Sequence, residues 1–148
     1  NLSLSRDFSK VNNKCDLVYI DPPYYSKYSD NEYVRRYHFI DGLVRDWKGV
    51  KIQEKSIVKK FKKYPSMFDT KQGSYDAITL LIKKYSKQIV VMSYSSNSLP
   101  TLKEINTIAK EFKRKFKAIK INYTYSFGTQ KKLNKMKNQI KEYIIILS

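Results

Sequence analysis

The sequence predicts an α/β protein in which a mainly parallel sheet ends in an antiparallel hairpin. Two short runs rich in apolar and β-forming residues, Leu17–Ile20 and Gln88–Ser93, have the composition of strands buried in a parallel sheet. Stretches with helical spacing lie between these runs and after them. Two final strand candidates, Ile119–Tyr125 and Tyr143–Leu147, are joined by the basic loop 128–141. The resulting order is strand, helix, strand, helix, strand, strand.

The first predicted helix follows a polar turn after the first strand. Ser29 and Glu32 have the spacing of a capping box, which predicts a helix from about Asp30 to Arg45. The residues predicted on its apolar face are Tyr33, Tyr37, Ile40 and Val44. The lysine-rich stretch Val50–Ser66 has little periodicity, and we expect it to be an irregular or mobile connection.

Two further helices are predicted around the second strand. One follows Gly73 and Ser74 and ends near Tyr85, and the other opens with a capping box of Thr101 and Glu104. Apolar residues at helical spacing predict their inward faces: Ile78, Leu81, Ile82 and Tyr85 in the one, and Ile105, Ile108, Phe112 and Phe116 in the other.

Length and composition predict one soluble domain. The 148 residues are 41% apolar, which is enough for a core, and no run approaches the length of a membrane span. Without a signal-peptide pattern, we expect a protein of the bacterial cytoplasm. Cys15 is the single cysteine, so an internal disulfide is excluded and a zinc cluster is not expected. We expect Cys15 to be a small buried residue.

The net charge of +17 favours a polyanionic partner, because neutralising phosphates dominates nucleic-acid affinity. The abundance of lysine, asparagine, isoleucine and tyrosine also fits the coding bias of an AT-rich genome. Charge alone therefore leaves both explanations open.

The most informative segment is Asp21-Pro22-Pro23-Tyr24, directly after the first strand. Each proline fixes φ and lacks a backbone N–H, so the strand cannot continue through them. A carboxylate and an aromatic ring are thereby held at the carboxyl end of a strand. Open α/β sheets bind their ligands at this end.

This motif resembles the catalytic motif of the DNA methyltransferases that methylate the exocyclic amine of adenine. Other segments resemble a Dam-like group of that family: Arg-Arg-Tyr-His-Phe at 35–39, Ser-Tyr-Ser-Ser-Asn-Ser-Leu at 93–99, and Asn-Tyr-Thr-Tyr-Ser-Phe-Gly at 122–128 followed by Glu142 and Tyr143. The resemblance implies the class I, Rossmann-like methyltransferase fold that uses S-adenosylmethionine. The chain would be its carboxyl-terminal half, strands four to seven, with the last strand antiparallel.

The resemblance implies a role for each motif residue. The Asp21 carboxylate and the Pro22 carbonyl would accept the two protons of the adenine amine, in a turn held rigid by Pro22 and Pro23. Tyr24 would stack on a base flipped out of the duplex, and Tyr25 would shape the pocket.

Residues outside the motif have weaker assignments. Asp7 and Phe8 are expected at the adenine ring of S-adenosylmethionine, together with Asp21, although Asp7 is equally expected to cap a helix. Candidates for contact with the nucleic acid are Ser93, Tyr94, Asn97, Arg35, Lys131 and Lys132. Turn chemistry or solvated surface explains several of these residues equally well. We expect a structural or solvent-exposed position for His38 and, across the chain, no metal site.

Two segments that the family has before this motif are not found before it here. The family's glycine-rich cofactor loop and DNA-recognition segment come before Asp-Pro-Pro-Tyr, whereas all four glycines here follow Asp21. We therefore expect a partial catalytic domain that binds S-adenosylmethionine weakly alone and needs an amino-terminal half as partner. Duplex DNA would be the substrate, within a restriction–modification system. The alternatives are a ribosomal RNA guanine-amine methyltransferase and a non-catalytic basic DNA-binding or assembly fragment.

Overall fold

The computed structural model describes residues 3–12, 14–27, 37–55, 57–62, 65–122 and 140–148. The strands are β1 (Leu17–Ile20), β2 (Ile89–Ser95), β3 (Phe116–Ile121) and β4 (Glu142–Leu147). The helices are α1 (His38–Val44), α2 (Lys71–Lys84) and α3 (Leu102–Glu111), with short 3-10 turns at Phe8–Lys10 and Met67–Asp69. No helix within these ranges is long and apolar enough to cross a bilayer.

The four strands form one mixed sheet in the order β1-β2-β4-β3. β1 pairs with β2 in parallel, and β4 lies antiparallel between β2 and β3. β3 consequently runs in the same direction as β1 and β2, so these three strands end at the same edge of the sheet. The predicted α/β fold with a closing antiparallel pair is confirmed.

The core lies between one face of the sheet and helices α2 and α3. Val90 and Met92 of β2, with Ile145 and Leu147 of β4, are fully buried against these helices. The predicted inward residues that are buried there are Ile78, Leu81, Ile82, Ile105 and Ile108. Helical periodicity therefore identified these five buried residues correctly, whereas Tyr37, Ile40 and Val44, predicted on the apolar face of the first helix, are exposed.

The opposite face of the sheet is open and apolar. Side chains alternate along a strand, so the neighbours of the buried residues point away from the helices. Leu17, Tyr19 and Ile89 are 52%, 59% and 46% exposed, and Ile119 and Ile121 of β3 are also exposed. The prediction that β1 is buried as in a parallel sheet is therefore wrong, because β1 is the edge strand of the described sheet and its residues Leu17 and Tyr19 are exposed.

Helix α2 begins earlier than the sequence predicts. The hydroxyl of Thr70 accepts a hydrogen bond from the Gly73 N–H at 3.0 Å, which places Gly73 inside the first turn. A Cβ on Gly73 would lie 2.2 Å from the Met67 carbonyl oxygen, so the close approach of these two segments requires glycine. For α1, the predicted start at Ser29 and Glu32 lies outside the described residues.

Helix α3 has the predicted capping box, in which Thr101 and Glu104 bond each other's backbone N–H groups. It ends at Glu111, because Lys113 has a φ of 55° and turns the chain out of the helix. Phe116 is therefore the first residue of β3, not part of the helix as predicted, and β3 begins three residues earlier than expected. The predicted end of this strand at Tyr125 lies outside the described residues.

The stretch after α1 has more order than its composition predicts. Ile52 and Phe61 form an isolated antiparallel bridge, and Phe61 is fully buried. The rings of Trp47 and His38 pack edge-on against Phe61, at centroid distances of 5.9 and 6.1 Å. His38 is thus half-buried and makes a structural ring contact. Cys15, expected to be buried, is exposed.

Candidate functional site

Asp21 stands at the carboxyl end of β1, as the motif predicts. β1 ends at Ile20, and the next residues are the exposed Asp21 and the buried Pro22. Pro22 lacks a backbone N–H and cannot extend the sheet, so the chain must turn at this point. The carboxylate is therefore presented at the edge of the sheet where β1, β2 and β3 end.

The Asp21 carboxylate is held by a residue of the neighbouring strand. Because Ile20 is opposite Met92 in the parallel register, Ser93 lies beside Asp21. The Ser93 hydroxyl donates to Asp21 Oδ1 at 2.7 Å, and the Tyr24 hydroxyl lies 3.4 Å from the same oxygen. Among the described residues, none donates to Oδ2 of Asp21, so this oxygen is available as an acceptor.

A buried tyrosine supports the aromatic residue of the motif. The rings of Tyr24 and Tyr94 meet edge to face with centroids 5.7 Å apart. Tyr94 is 2% exposed, and its hydroxyl donates to the Pro100 carbonyl oxygen at 2.6 Å. Burial raises the pKa of Tyr94, which keeps the phenol protonated as a donor. Sequence reasoning proposed Tyr94 for contact with nucleic acid, whereas the structure places it in the core behind Tyr24.

The turn after the motif is joined to the segment that follows β2. The Leu99 N–H donates to the Tyr25 carbonyl at 2.8 Å. The hydroxyl of Ser95, the last residue of β2, donates to Asn97 Oδ1 at 2.8 Å, so the exposed Asn97 side chain is partly engaged in its own turn. The hydrogen bond between Leu99 and Tyr25 therefore holds the turn after the motif and the segment after β2 at the same edge of the sheet.

Ser96 connects this edge to the start of β4. The Ser96 N–H donates to the Lys141 carbonyl at 2.8 Å, and the Lys141 N–H donates to Ser96 Oγ at 2.9 Å. The return from the basic loop is thereby fixed beside the segment that follows β2. Lys131 and Lys132 of that loop, like Arg35, lie outside the described residues.

An apolar pocket of about 330 Å³ runs along the outer edge of β1 and reaches Asp21. Its lining residues are Phe8, Val11, Val18, Tyr19, Ile20, Asp21, Pro22, Pro23, Phe68, Leu81 and Tyr85. The rings of Phe8 and Phe68 lie 5.7 Å apart at one side. The structure thus brings Phe8 and Asp21 to one pocket.

Asp7 acts as a cap in this structure. Its Oδ1 accepts from the N–H and the hydroxyl of Ser9, and these hydrogen bonds lower the pKa of the Asp7 carboxyl. The 3-10 turn that carries Phe8 is held from the other side by Lys84, whose ammonium donates to the carbonyls of Phe8 and Ser9 at 3.2 and 2.7 Å. Asp7 itself does not line the pocket.

The sequence did not indicate the roles that three residues have at this site. Ser93 was proposed for substrate contact, and its bond to Asp21 depends on strand register, which the sequence does not show. Phe68 and Lys84 come from segments that carried no functional signal. Only the position of Ser93 near a predicted strand end could have indicated its place beside Asp21.

The site therefore belongs to an α/β protein that presents a carboxylate and an aromatic ring beside an apolar pocket. Over 101 residues the chain is 30% identical to "Modification methylase StsI" of Streptococcus sanguinis. The aligned part is 67% of this chain and 14% of that protein. No protein-family model matches the chain. No solved structure matches it either.

Proposed function

We propose that this chain is part of a DNA methyltransferase that transfers a methyl group from S-adenosylmethionine to the exocyclic amine of adenine, within a restriction–modification system. The observation that carries the proposal is the Asp21 carboxylate at the end of β1. Its Oδ1 accepts a hydrogen bond from Ser93, and none of the described residues donates to its Oδ2. The similarity to a modification methylase supports the same class of reaction.

The topology supports a class I methyltransferase fold. The sheet order β1-β2-β4-β3, with β4 antiparallel between two strands of the other direction, is the order expected for strands four to seven of that fold. The open apolar face of the sheet supports the proposal that a further element covers it in the active protein. We propose that this element belongs to an amino-terminal half that completes the catalytic domain.

The proposed chemistry starts from a poor nucleophile. The lone pair of the adenine amine is delocalised into the ring, and acceptors aimed at both amine protons localise it on nitrogen. Asp21 Oδ2 would accept one proton and the carbonyl of Pro22 the other, both fixed before positive charge develops on the nitrogen. S-adenosylmethionine supplies the electrophilic methyl group when it is bound. Asp21 would then take the proton that the methylated nitrogen loses.

We propose that the apolar pocket receives the flat adenine ring of S-adenosylmethionine. Phe8, Phe68 and Pro22 offer apolar surfaces within a cavity of about 330 Å³ that reaches Asp21. We propose that Asp7 contributes chiefly by capping the turn that carries Phe8. This arrangement would place the cofactor and the substrate amine on either side of the Asp21 turn.

The DNA would lie across the edge where the strands end. Tyr24 is proposed to stack on the flipped base, since a base inside the duplex cannot reach Asp21. Tyr25 and Asn97 would contact the nucleotide from the two joined turns. Arg35, Lys131 and Lys132 remain proposed phosphate contacts, in a chain whose net charge is +17.

The experiment that tests this function identifies the methylated base. The complete protein that carries this sequence is incubated with labelled S-adenosylmethionine and either duplex DNA of varied sequence or ribosomal RNA, and the nucleosides are separated. We expect label on the exocyclic amine of adenine from DNA. Label on RNA guanine or on DNA cytosine, or none at all, would contradict the proposal.

A further inference from the structure

We propose that Ser93 is a positioning residue that determines which oxygen of Asp21 meets the substrate amine. This inference rests on the proposed function and deepens it, because it assigns to Ser93 a role other than contact with the nucleic acid.

The direction of the hydrogen bond follows from the chemistry of the partners. Ser93 Oγ lies 2.7 Å from Asp21 Oδ1 and 3.5 Å from the Ile20 carbonyl oxygen. An ionised carboxylate and a carbonyl can only accept, so the Ser93 hydroxyl must be the donor. Its single proton belongs to the shorter and stronger bond, which is the bond to Asp21.

The hydrogen bond from Ser93 makes the two oxygens of the Asp21 carboxylate inequivalent. The two oxygens of an isolated aspartate are equivalent and exchange by rotation about the bond between Cβ and Cγ. With Oδ1 engaged by Ser93, and more weakly by Tyr24 at 3.4 Å, the carboxylate plane is fixed and Oδ2 remains for the substrate. The bond also withdraws one oxygen from competition for the amine proton.

The place of Ser93 makes it a rigid support. It is half-buried within β2, two residues before the strand ends, and β2 pairs with β1 on one side and β4 on the other. Tyr24, by contrast, is the last residue of the motif and lies in the turn that follows β1. A group held by a paired strand positions a neighbour more precisely than a group on a turn does. Loss of the Ser93 hydroxyl should therefore affect the chemical step more than DNA binding.

A pair of variants with equal shape separates this role from packing. In the complete protein, Ser93→Thr keeps the hydroxyl and Ser93→Val replaces it with a methyl group, and both suit a strand. We expect Ser93→Thr to keep kcat within about threefold and Ser93→Val to lose roughly 10- to 100-fold in kcat, with KM for DNA nearly unchanged. Both variants should have similar melting temperatures.

Several outcomes decide the matter. Equal kcat for the Thr and Val variants, or a loss confined to KM, would overturn the role of Ser93 while the wild-type activity still upholds the proposed function. Absence of adenine methylation by the wild type would overturn the proposed function first and this inference with it. If the branched side chains disturb β2, Ser93→Ala removes only the hydroxyl and must show the same loss of kcat for the inference to stand.

Discussion

The ring of Tyr94 packs edge-on against the ring of Tyr24, with centroids 5.7 Å apart and planes inclined by 76°. Tyr94 is buried and its hydroxyl is bonded to the Pro100 carbonyl, so its ring is fixed from two sides. The position of Tyr24 at the edge of the site is therefore set by a core residue. An edge-to-face pair of this kind contributes about 0.5–1.5 kcal/mol beyond burial.

From this geometry we expect Tyr24→Phe to be mild and Tyr24→Ala to be severe. The Tyr24 hydroxyl is 3.4 Å from Asp21, too long for a strong bond, whereas stacking of an aromatic ring on a base contributes roughly 1–3 kcal/mol. Steady-state methylation kinetics of the complete protein would measure both variants. Equal damage from Phe and Ala would show that the hydroxyl has a chemical role.

The open face of the sheet predicts how the isolated 148-residue chain behaves. Leu17, Tyr19 and Ile89 expose apolar surface beside an edge strand, and such surface promotes association. We expect the chain alone to self-associate, to be marginally stable and to bind S-adenosylmethionine weakly. Light scattering and calorimetric titration would measure these properties.

A charged residue on that face should reduce the association. Ile89→Lys places an ammonium among the exposed apolar residues, whereas Leu80→Lys changes an exposed residue of α2. We expect the first variant to lower the apparent mass in light scattering and the second to leave it unchanged. A wild-type chain that is a stable monomer and binds S-adenosylmethionine tightly would contradict the proposal of a partial domain.

We expect substitution of Arg114 to lower the free energy of unfolding substantially. Arg114 is 8% exposed, and its guanidinium donates to the carbonyls of Tyr85, Gln88 and Leu147, which joins the end of α2 to the residue before β2 and to β4. Arg114→Ala would remove three hydrogen bonds to buried or part-buried carbonyls, at a cost of about 3 kcal/mol. The exposed Lys115→Ala should change the unfolding free energy by less than about 0.5 kcal/mol. Urea unfolding of the complete protein measures both, and equal effects would refute this role.

The capping box of α3 predicts a dependence of stability on pH. Hydrogen bonds from Thr101 lower the pKa of Glu104, so the ionised form stabilises the fold at neutral pH. That contribution is lost as the pH falls through the lowered pKa. Glu104→Gln should reduce stability at neutral pH by less than about 1 kcal/mol, and the difference should disappear once the pH lies below the lowered pKa of Glu104. A difference that persists in acid would show that the charge of Glu104 is not its cause.

The sequence predicted the local features of the site and missed those that depend on distant contacts. The end of β1 at Asp21 follows from Pro22 and Pro23, whose effect on the backbone needs no partner. The bond from Ser93 to Asp21 depends on the register of two strands that are 72 residues apart in the chain. No periodicity in either strand contains that information.

Two errors in the predicted fold have the same cause, because both depend on tertiary contacts. The composition of β1 is that of a strand buried on both faces, and it cannot show that this chain leaves one face of the sheet uncovered. Phe116 continues the apolar spacing of α3, but the turn at Lys113 ends the helix and the buried Arg114 fixes the following segment against β4. Tertiary contacts decided both cases.

The central claim is that the Asp21 carboxylate accepts a proton of the adenine amine, and the most direct test is methyl transfer by Asp21→Ala in the complete protein. The single-turnover rate constant for transfer from labelled S-adenosylmethionine to adenine in duplex DNA should fall about 100-fold or more. This loss corresponds to at least about 3 kcal/mol of transition-state stabilisation. Binding of DNA should change little. Near wild-type transfer by Asp21→Ala would contradict the account.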